Sequence, residues 1–293
     1  MGKDNLKAYD GNKTFICSST FGLNVDRLEA GYQVLIDGKK YLIGDDTLDY
    51  DYDVTKEKER HRIMMYLAIA QMTEDGDHVS VVTSCPVDIF LNKNLKNSYK
   101  NFLSERKEVI ITVGIQTKKI FIDKVFVVCE GVGIAYRHPN RFLNQVVGVI
   151  DIGGVTKNYL FFNDMNLVRD QSFSEADGMH FLRAKVTDAL KKEGHYLTSH
   201  EIKPLIRNPK DYKYTVNKEI EKFINGIRKT ITRRNWSSVM ELIFVGGGSD
   251  DLKRQISEKF PTSTVSAESL FDNCIGNYQI GVLKWQKSEK SVK

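Results

Sequence analysis

The residues best suited to chemistry lie in one short stretch near the middle of the chain, Asp151-Ile152-Gly153-Gly154-Val155-Thr156. An apolar run, Val146 to Ile150, leads into the acid, and a second, Tyr159 to Phe162, follows the threonine. We therefore predict a β-hairpin with a glycine turn and an acidic residue where the first strand enters the turn. Small turn residues let backbone N–H groups approach an anion, and the acid can hold a cation or a water beside it. The alternative is a routine turn that binds nothing.

Two other glycine-bearing turns accompany this one. Gly2-Lys3-Asp4-Asn5-Leu6-Lys7 places a lysine five positions after a glycine, and Leu242 to Val245 is an apolar run that opens into Gly246-Gly247-Gly248-Ser249. The second pattern predicts a short buried strand followed by a helix from Leu252, capped by Ser249 or Asp250. Each turn alone is a weak signal, and their order along the chain is what makes the set informative.

The remaining pattern supplies the elements that must position these turns. Strands and helices alternate in both halves, which predicts an α/β class with mixed sheets. We expect a loop or small excursion over 195–216 and a frayed, lysine-rich tail over 284–293. The other predicted elements are hairpins with Asp-Gly turns over 6–17 and 32–43, an amphipathic helix over 59–72, a strand over 78–83, a polar helix over 91–106, strands over 109–115 and 119–129, and helices over 177–192 and 216–232.

Composition narrows the function classes. A chain of 293 residues is long enough for two domains or one large one. It has no apolar run near ~18 residues and no signal-peptide core, so we expect a cytoplasmic protein without a membrane partner. The net charge of +5 is spread among interleaved acids, which indicates a solvated surface rather than direct nucleic-acid binding. The four cysteines are scattered without a C-x-x-C pattern, as expected for reduced thiols in a cytosol.

Several motif-based enzyme classes are also excluded. The chain has no G-x-x-x-x-G-K-[ST] loop, so it is not a P-loop enzyme, and the turn at Gly246 is not G-x-G-x-x-G, which argues against a dinucleotide fold. His195 and His200 are five positions apart in a polar segment and show no zinc-ligand spacing.

Taken in order, the three turns resemble those of the actin-like ATPases, the superfamily of actin, bacterial cell-shape actins, the seventy-kilodalton heat-shock chaperones and sugar kinases. That family carries a first phosphate hairpin of the form D-x-G-x-x-x-x-K, a second of the form D-x-G-G/S-x-T, and an adenosine motif of an apolar strand plus G-G-G/S. The resemblance covers essentially the whole chain and is nearest to the ParM-type plasmid-segregation actins. The matching segments are Gly2 to Lys7, Val82 to Val87, Val125 to Tyr136 as a first connector, Asp151 to Thr156, Leu242 to Ser249, and Asn273 to Gly276 as a second connector.

The resemblance implies an actin-like (ribonuclease H-like) fold, with two similar α/β domains flanking a nucleotide cleft. The first would span 1–145, with 276–293 packing back on it, and the second 146–275. It implies ATP, with GTP possible, and Mg²⁺ ordered by Asp151. Glu130 would orient or deprotonate the water that attacks the γ-phosphate; its alternative is a helix N-terminal acid. The nucleotide-binding residues would be Gly2, Lys3, Asp4, Asn5, Lys7, Gly153, Gly154, Val155, Thr156, Gly178, Gly246, Gly247, Gly248 and Ser249, with Gly178 near the ribose or else a core-packing glycine.

The chain departs from the family pattern at its start. Met1 stands in the "x" position, so the first strand of the domain and its phosphate-1 aspartate are not in this sequence. The start could be assigned at an internal methionine, the strand could be dispensable or replaced, or the N-terminal resemblance could be accidental. We favour a truncated or misassigned start, because a missing central strand would leave unpaired backbone groups on its neighbours.

Three functions are compatible with this resemblance. The first is a polymerising ATPase for plasmid DNA segregation, with a DNA-binding adaptor protein implied by the family and contact surfaces at the acidic loop 45–53 and the polar segment 195–214. The second is a small-molecule kinase, although no separate catalytic base is evident. The third is a nucleotide-binding scaffold that does not polymerise. A chaperone is not expected, because no substrate-binding domain follows.

Overall fold

The computed structural model describes residues 2–23, 31–45 and 47–290. The chain divides into two units, of which unit 1 comprises Met1–Arg137 with Asn273–Lys293, and unit 2 comprises His138–Asp272. Each unit contains β-sheet, helices and its own apolar core. The α/β class predicted from the sequence is therefore confirmed.

Unit 1 contains eight described strands in two sheets. Strands β1 and β2 form a two-stranded hairpin, and the other six follow the order β3-β5-β4-β7-β8-β6, in which only β6 and β8 run parallel. Both predicted Asp-Gly hairpins are confirmed, and in the second Asp37 and Gly38 have φ of 50° and 74°, the left-handed pair that a tight hairpin needs. The strands are β1 (Asn5–Tyr9), β2 (Thr14–Ser18), β3 (Phe21–Leu23), β4 (Tyr32–Ile36), β5 (Lys39–Ile43), β6 (His78–Cys85), β7 (Glu108–Val113) and β8 (Gln116–Cys129).

Four helices precede the crossing to unit 2: α1 (Glu59–Met72), α2 (Val87–Leu91), α3 (Lys93–Ser104) and α4 (Gly133–Arg137). Helix α1 packs on β1, β2 and β7, and every residue from His61 to Ala70 is buried. The predicted helix is thus confirmed, but its predicted amphipathic character is wrong, because its polar side chains are also enclosed. The polar helix predicted over 91–106 is confirmed as α3 (Lys93–Ser104), which the side chain of Asn92 caps; the short helix α2 before it was not predicted.

Unit 2 is built on a central sheet of order β11-β10-β9-β13-β14, with β12 also pairing with β10. Strands β9, β13 and β14 run parallel, whereas β10 is antiparallel to β9. The strands are β9 (Val146–Ile152), β10 (Lys157–Asn163), β11 (Asn166–Leu167), β12 (Phe173–Glu175), β13 (Glu241–Val245) and β14 (Thr264–Val265). The helices are α5 (Met179–Lys192), α6 (Ser199–Arg207), α7 (Lys213–Arg233), α8 (Gly247–Asp251) and α9 (Lys253–Lys259).

The last helix, α10 (Asp272–Lys290), belongs to unit 1 from Asn273 onward. Its Gly276 lies against the backbone of Gly133 in α4, and its Tyr278 meets Tyr9 of β1 edge to face, with ring centroids 5.3 Å apart. The predicted fraying from residue 284 is wrong as far as Lys290, because α10 continues to that residue; residues 291–293 lie outside the described part. Short 3₁₀ turns occur at Pro139–Arg141, Arg169–Gln171, Lys210–Tyr212 and Trp236–Ser238.

Candidate functional site

The acid of the central motif lies at the end of a fully buried strand. Asp151 is the penultimate residue of β9, is 3% exposed, and pairs in register with Asn158 of β10. The turn 153–156 is closed by a hydrogen bond from the Gly153 amide to the Thr156 carbonyl at 2.9 Å. The predicted hairpin with an acidic residue where the first strand enters the turn is therefore confirmed, and the Gly153 amide is already engaged inside it.

Helix α5 begins directly behind this turn. The amides of Gly178, Met179 and His180 donate to the carbonyls of Val155, Gly153 and Gly154, at 2.8, 3.0 and 2.8 Å. A Cβ on Gly178 would stand 2.6 Å from the Gly153 carbonyl oxygen, so only glycine fits there. The turn thus satisfies the first amides of α5, and Gly178 is a packing glycine that holds the turn in place.

The third turn meets the acid from the neighbouring strand. Val245 of β13 is in register with Asp151, so the two parallel strands end side by side. Gly246 follows with φ 88° and ψ 162°, a backbone conformation essentially restricted to glycine. A Cβ at Gly246 would lie 2.2 Å from Asp151 Oδ1. The backbone of Gly246 and the carboxylate of Asp151 are therefore in direct contact.

The residues after Gly246 are helical rather than an open loop. The predicted helix from Leu252 is confirmed as α9, whose N-cap is Leu252, so the predicted cap at Ser249 or Asp250 is wrong. A short helix that was not predicted, α8, precedes it and begins at Gly247 with Gly246 as its N-cap. The Ser249 hydroxyl donates to the Val245 carbonyl at 2.5 Å and is fully buried. Because a serine in a first turn can bond to the backbone four residues earlier, this side chain faces the strand and not a ligand.

A groove with a volume of 820 Å³ borders helix α8, and its lining includes five basic and two acidic side chains. Arg207 at the end of α6 pairs with Asp250 at 3.0 Å and with Asp251, so these acids neutralise only part of the positive charge. The lining residues are Arg207, Asn208, Pro209, Lys210, Lys213, Asp250, Asp251, Lys253, Arg254, Gln255 and Ser257.

The sequence prediction missed helix α6 and therefore missed this groove. The prediction of a loop over 195–216 is wrong, because Ser199–Arg207 is helical. Thr198 and Glu201 form a capping box, in which the Glu201 amide donates to Thr198 Oγ1 and Glu201 Oε2 accepts from the Thr198 amide at 2.8 Å. The T-x-x-E signal was present in the sequence and could have located the helix start.

In unit 1, Ser19 holds the backbone of the first turn. The Ser19 hydroxyl donates to the Gly2 carbonyl at 2.7 Å, and the Ser19 amide donates to the Asp4 carbonyl at 3.1 Å. Asn5 is the first residue of β1 and Lys7 faces Ile16 of β2 in register. Burial raises the pKa of the Cys274 thiol and the charge of Lys7 lowers it, so Lys7 lies near the second connector.

The side chain of Lys3 points into unit 1. It is 5% exposed, forms an ion pair with Asp51 and donates to the Thr55 carbonyl at 2.8 Å. Burial, and then the nearby charge of Lys56, lower the pKa of Lys3 to about 8, against the pull of Asp51. The Lys3 ammonium is thus part of an internal cluster, and no local sequence signal predicts its partner 48 positions away.

Two carboxylates of the acidic loop, Asp45 and Asp51, are turned inward, whereas Asp49 and Asp53 are exposed. Asp51 accepts from Lys58 at 2.7 Å and lies 3.2 Å from His61 Nε2, in addition to its pair with Lys3. Asp45 is 2% exposed and accepts from the amide and hydroxyl of Thr47. These two carboxylates therefore do not form an acidic outer surface; Asp46, in the same loop, lies outside the described residues.

Glu130 lies at the end of β8, beside the end of β6. Its amide donates to the Cys85 carbonyl at 2.8 Å, which continues the parallel pairing by one residue. Its Oε1 accepts from Lys56 Nζ at 2.9 Å. Helix α4 begins only at Gly133, so Glu130 lies in the turn before it. Gly131, the next residue, donates its amide to Asn273 Oδ1 at 2.8 Å.

The predicted site residues are thus divided between the two units. Unit 2 brings Asp151, the turn 153–156, Gly178 and the turn 246–249 to the ends of β9 and β13, whereas unit 1 holds the first turn and Glu130. Within the described ranges, no group of three or more His, Cys, Asp or Glu side chains is placed to hold a metal ion. None of the helices over 2–23, 31–45 and 47–290 has the length and apolarity to cross a membrane.

Comparison with known proteins identifies the fold. Residues 1–133 match the family described as "Actin like proteins N terminal domain". No match by sequence was found among curated proteins. A non-polymerisable quadruple mutant of pCBH ParM is 17% identical, with a TM-score of 0.81 and coverage of 97% of each chain. An ADP complex of Ta0583, an archaeal actin homolog, is 20% identical with a TM-score of 0.77, and a 15-stranded ParM filament from Clostridium botulinum is 17% identical with a TM-score of 0.77, each with coverage of 97% of both chains.

Proposed function

We propose that this chain, which has the actin-like fold, binds ATP with Mg²⁺, hydrolyses it and assembles into filaments. The observation that carries the proposal is the parallel pairing of β9 with β13. It places Asp151, Gly246 and the hairpin turn together at the carboxyl ends of these two strands. The carboxyl ends of parallel strands are where α/β proteins bind ligands. The archaeal homolog solved with ADP supports a nucleotide at this fold, although GTP would fit the same argument.

The phosphates would be bound by backbone amides. In unit 2 we assign Gly154, Val155 and Thr156 to this role, since the Gly153 amide closes its own turn. In unit 1 we assign the backbone of Gly2–Asn5 and the Lys7 ammonium, and not the Lys3 ammonium, which is paired with Asp51. Backbone N–H groups and one ammonium group suit a polyphosphate, because both interact favourably with its negative charge.

The nucleoside would lie along helix α8. A Cβ added to Gly247 would fit, because its nearest neighbour, Leu270 Cδ1, would be 3.5 Å away; the Cβ of the other two glycines would clash. Protein packing therefore does not require glycine at 247, and contact with a ligand would explain it. The adjacent groove offers Lys210, Lys213, Lys253 and Arg254 to an anionic ligand. Ser249 would contribute its backbone only, because its hydroxyl is engaged.

The residues present fit a Mg²⁺ ion held by one carboxylate. Asp151 is buried at the strand end, and Mg²⁺ commonly keeps most of its waters and takes one or two carboxylates plus substrate phosphates. Bound there, the ion would neutralise charge on the phosphates. We assign to Glu130 the positioning of the attacking water, with its carboxylate accepting the proton.

Filament assembly is supported by the relatives solved as filaments. Such assembly requires heterologous contacts that do not close into a ring. By analogy with the ParM-type relatives we propose plasmid DNA segregation as the cellular role and cytoplasm as the location, with a DNA-binding adaptor protein linking filament to cargo. As contact surfaces we propose the exposed part of 45–53, which includes Asp49, Tyr52 and Asp53, and the helical segment 199–214.

The test is right-angle light scattering after addition of ATP and Mg²⁺, with phosphate release followed in parallel. We expect a rise in scattering that decays as phosphate appears. Asp151→Asn should slow phosphate release by at least about tenfold, while the matched control Asp170→Asn, an exposed acid of the same unit, should not. Phosphate release without scattering would indicate a kinase-like or non-polymerising protein, and the absence of nucleotide binding would overturn the proposal.

A further inference from the structure

We propose that Lys56 is a positioning residue for Glu130, an inference that rests on the proposed ATP hydrolysis. Lys56 Nζ donates to Glu130 Oε1 at 2.9 Å, and the two side chains are 3% and 12% exposed. Lysine is rarely buried unless it is paired, so this enclosed ion pair is a specific feature of unit 1.

The backbone of Lys56 is fixed as firmly as its side chain. Its carbonyl accepts from the Lys58 amide at 3.0 Å and lies 2.8 Å from His61 Nδ1, which donates because a carbonyl can only accept. Lys58 is the N-cap residue of α1. Lys56 is therefore anchored to the start of a helix whose residues His61–Ala70 are all buried.

The segment on the other side of Lys56 is anchored as well. The Thr55 carbonyl accepts from Lys3 Nζ at 2.8 Å, and Asp51 binds Lys3, Lys58 and His61 together. Lys56 thus lies between two fixed points, the Asp51 cluster and α1. A rigid ammonium at this place restricts the rotamer of Glu130.

This restriction matters because a catalytic carboxylate has to be held within about 0.5 Å of its productive position. Glu130 itself lies in the turn after β8, where its amide bonds to the Cys85 carbonyl and its side chain is 12% exposed. Lys56 supplies that constraint from 74 positions away in the sequence. We expect its loss to lower kcat and to leave ATP binding nearly unchanged.

The experiment measures kcat and KM for ATP from phosphate release, with thermal melts to confirm folding. Lys56→Met should lower kcat by about tenfold with KM within about threefold, and Lys56→Arg, which keeps the charge, should recover most of the loss. In a Glu130→Gln background, Lys56→Met should cause no further loss, because the two residues act as one unit. Lys100→Met is the matched control: it removes an exposed lysine of α3 in the same unit that takes no part in the Asp51 cluster, and turnover should stay within about twofold.

Normal kcat in folded Lys56→Met, or an equal loss in both backgrounds, would overturn the inference. If Lys56→Met does not fold, Lys56→Gln takes its place, because it keeps a donor and removes the charge; normal kcat there would count against the inference equally. Turnover by the unmodified chain together with normal turnover in Glu130→Gln would overturn the role of Glu130 and this inference while leaving ATP hydrolysis intact. No phosphate release from the unmodified chain would instead overturn the proposed function itself.

Discussion

Asp151 is the penultimate residue of β9 and Gly246 directly follows the parallel neighbour β13, so that a Cβ at position 246 would lie 2.2 Å from Asp151 Oδ1 and 2.7 Å from the Ile152 carbonyl oxygen. Glycine at 246 is thus required by the carboxylate beside it as well as by its backbone angles. Gly248 is similarly enclosed, since its Cβ would stand 2.4 Å from Ile152 Cγ2. Gly247 alone of the three has room for a side chain. Packing within the protein therefore requires glycine at 246 and 248, whereas at 247 a ligand contact would require it.

Gly246→Ala should therefore mainly lower the free energy of unfolding, whereas Gly247→Ala should mainly lower the affinity for ATP. We expect Gly246→Ala to lower the free energy of unfolding by about 3 kcal/mol or more, because it adds backbone strain and a clash. Gly247→Ala should leave stability unchanged or slightly raised, because alanine suits a helix better than glycine by up to about 1 kcal/mol. If a nucleotide contacts α8, Gly247→Ala should nevertheless weaken ATP binding. Urea unfolding and nucleotide titration of both variants test this; unchanged affinity in folded Gly247→Ala would contradict the assignment of Gly247 to the nucleotide.

The sequence predicted the parts of the fold that depend on local signals. The hairpins at Asp10-Gly11 and Asp37-Gly38 follow from their turn residues, and α1 and α7 follow from apolar spacing. Gly153 and Thr156 were correctly placed in a hairpin turn for the same reason. Signals of this kind are contained within a few residues, so tertiary packing did not change them.

The sequence does not predict how individual polar side chains are engaged. The placement of Lys3 and Ser249 at the nucleotide stays a prediction for their backbones, because the Lys3 ammonium pairs with Asp51, 48 positions away, and the Ser249 hydroxyl donates to the Val245 carbonyl. Lys157, directly after the hairpin turn, has no role in the sequence analysis, although it is the most deeply buried charged residue of unit 2 whose ion pairs are described. Spacing along the chain carries no information on such partners.

Lys157 is expected to be important for stability. Its side chain is 2% exposed and Nζ lies 2.9 Å from Asp177 Oδ2 and 3.2 Å from Glu175 Oε2. Burial raises the pKa of Asp177 even with Lys157 beside it, so removing the lysine would leave a carboxylate that is costly to ionise. We predict that Lys157→Met lowers stability at pH 7 by about 2 kcal/mol, less than for a fully buried pair because both carboxylates are partly exposed.

The pH dependence of that loss identifies its cause. In Lys157→Met the deficit should shrink as the pH is lowered towards 4, because the unpaired carboxylates take up protons and lose their charge. Adding Glu175→Gln to Lys157→Met should recover part of the loss at pH 7. Denaturant unfolding at both pH values measures this, and a deficit that does not vary with pH would show that packing, and not charge, accounts for it.

His61 gives unit 1 a defined sensitivity to acid. Burial lowers the pKa of His61 to about 4, and the charges of Lys56 and Lys3 act in the same direction against the pull of Asp51. An unfolded histidine has a pKa near ~6.5, so between pH 4 and 6.5 the unfolded chain binds more protons than the folded one. Stability should therefore fall as the pH drops through this window, by up to about 1.4 kcal/mol per pH unit, and stay flat above it.

The titration of the neighbouring Asp51 does not contribute to the change in stability between pH 4 and 6.5. Although burial acts to raise it, hydrogen bonds from Lys3 and Lys58 hold the pKa of Asp51 well below its usual value. Its contribution is lost only below about pH 4, where an unfolded aspartate begins to bind protons. His61→Gln should accordingly show a shallower loss of stability between pH 6.5 and 5 than the unmodified chain, as measured by urea unfolding. Parallel slopes would assign the acid sensitivity to another group.

The basic groove beside α8 leads to a prediction about nucleotide affinity. Lys213 and Lys253 line it and are exposed, so charge reversal at either should not disturb the core. If the ligand anion lies near this groove, Lys253→Glu should weaken ATP binding by about threefold to tenfold at low ionic strength, and the difference should shrink as salt is added, because exposed charges are screened over about 10 Å at 0.1 M. Lys229→Glu, an exposed lysine of α7 outside the groove, is the matched control. Equal affinity in all three proteins at low salt would place the nucleotide away from this groove and leave its positive charge to another anion.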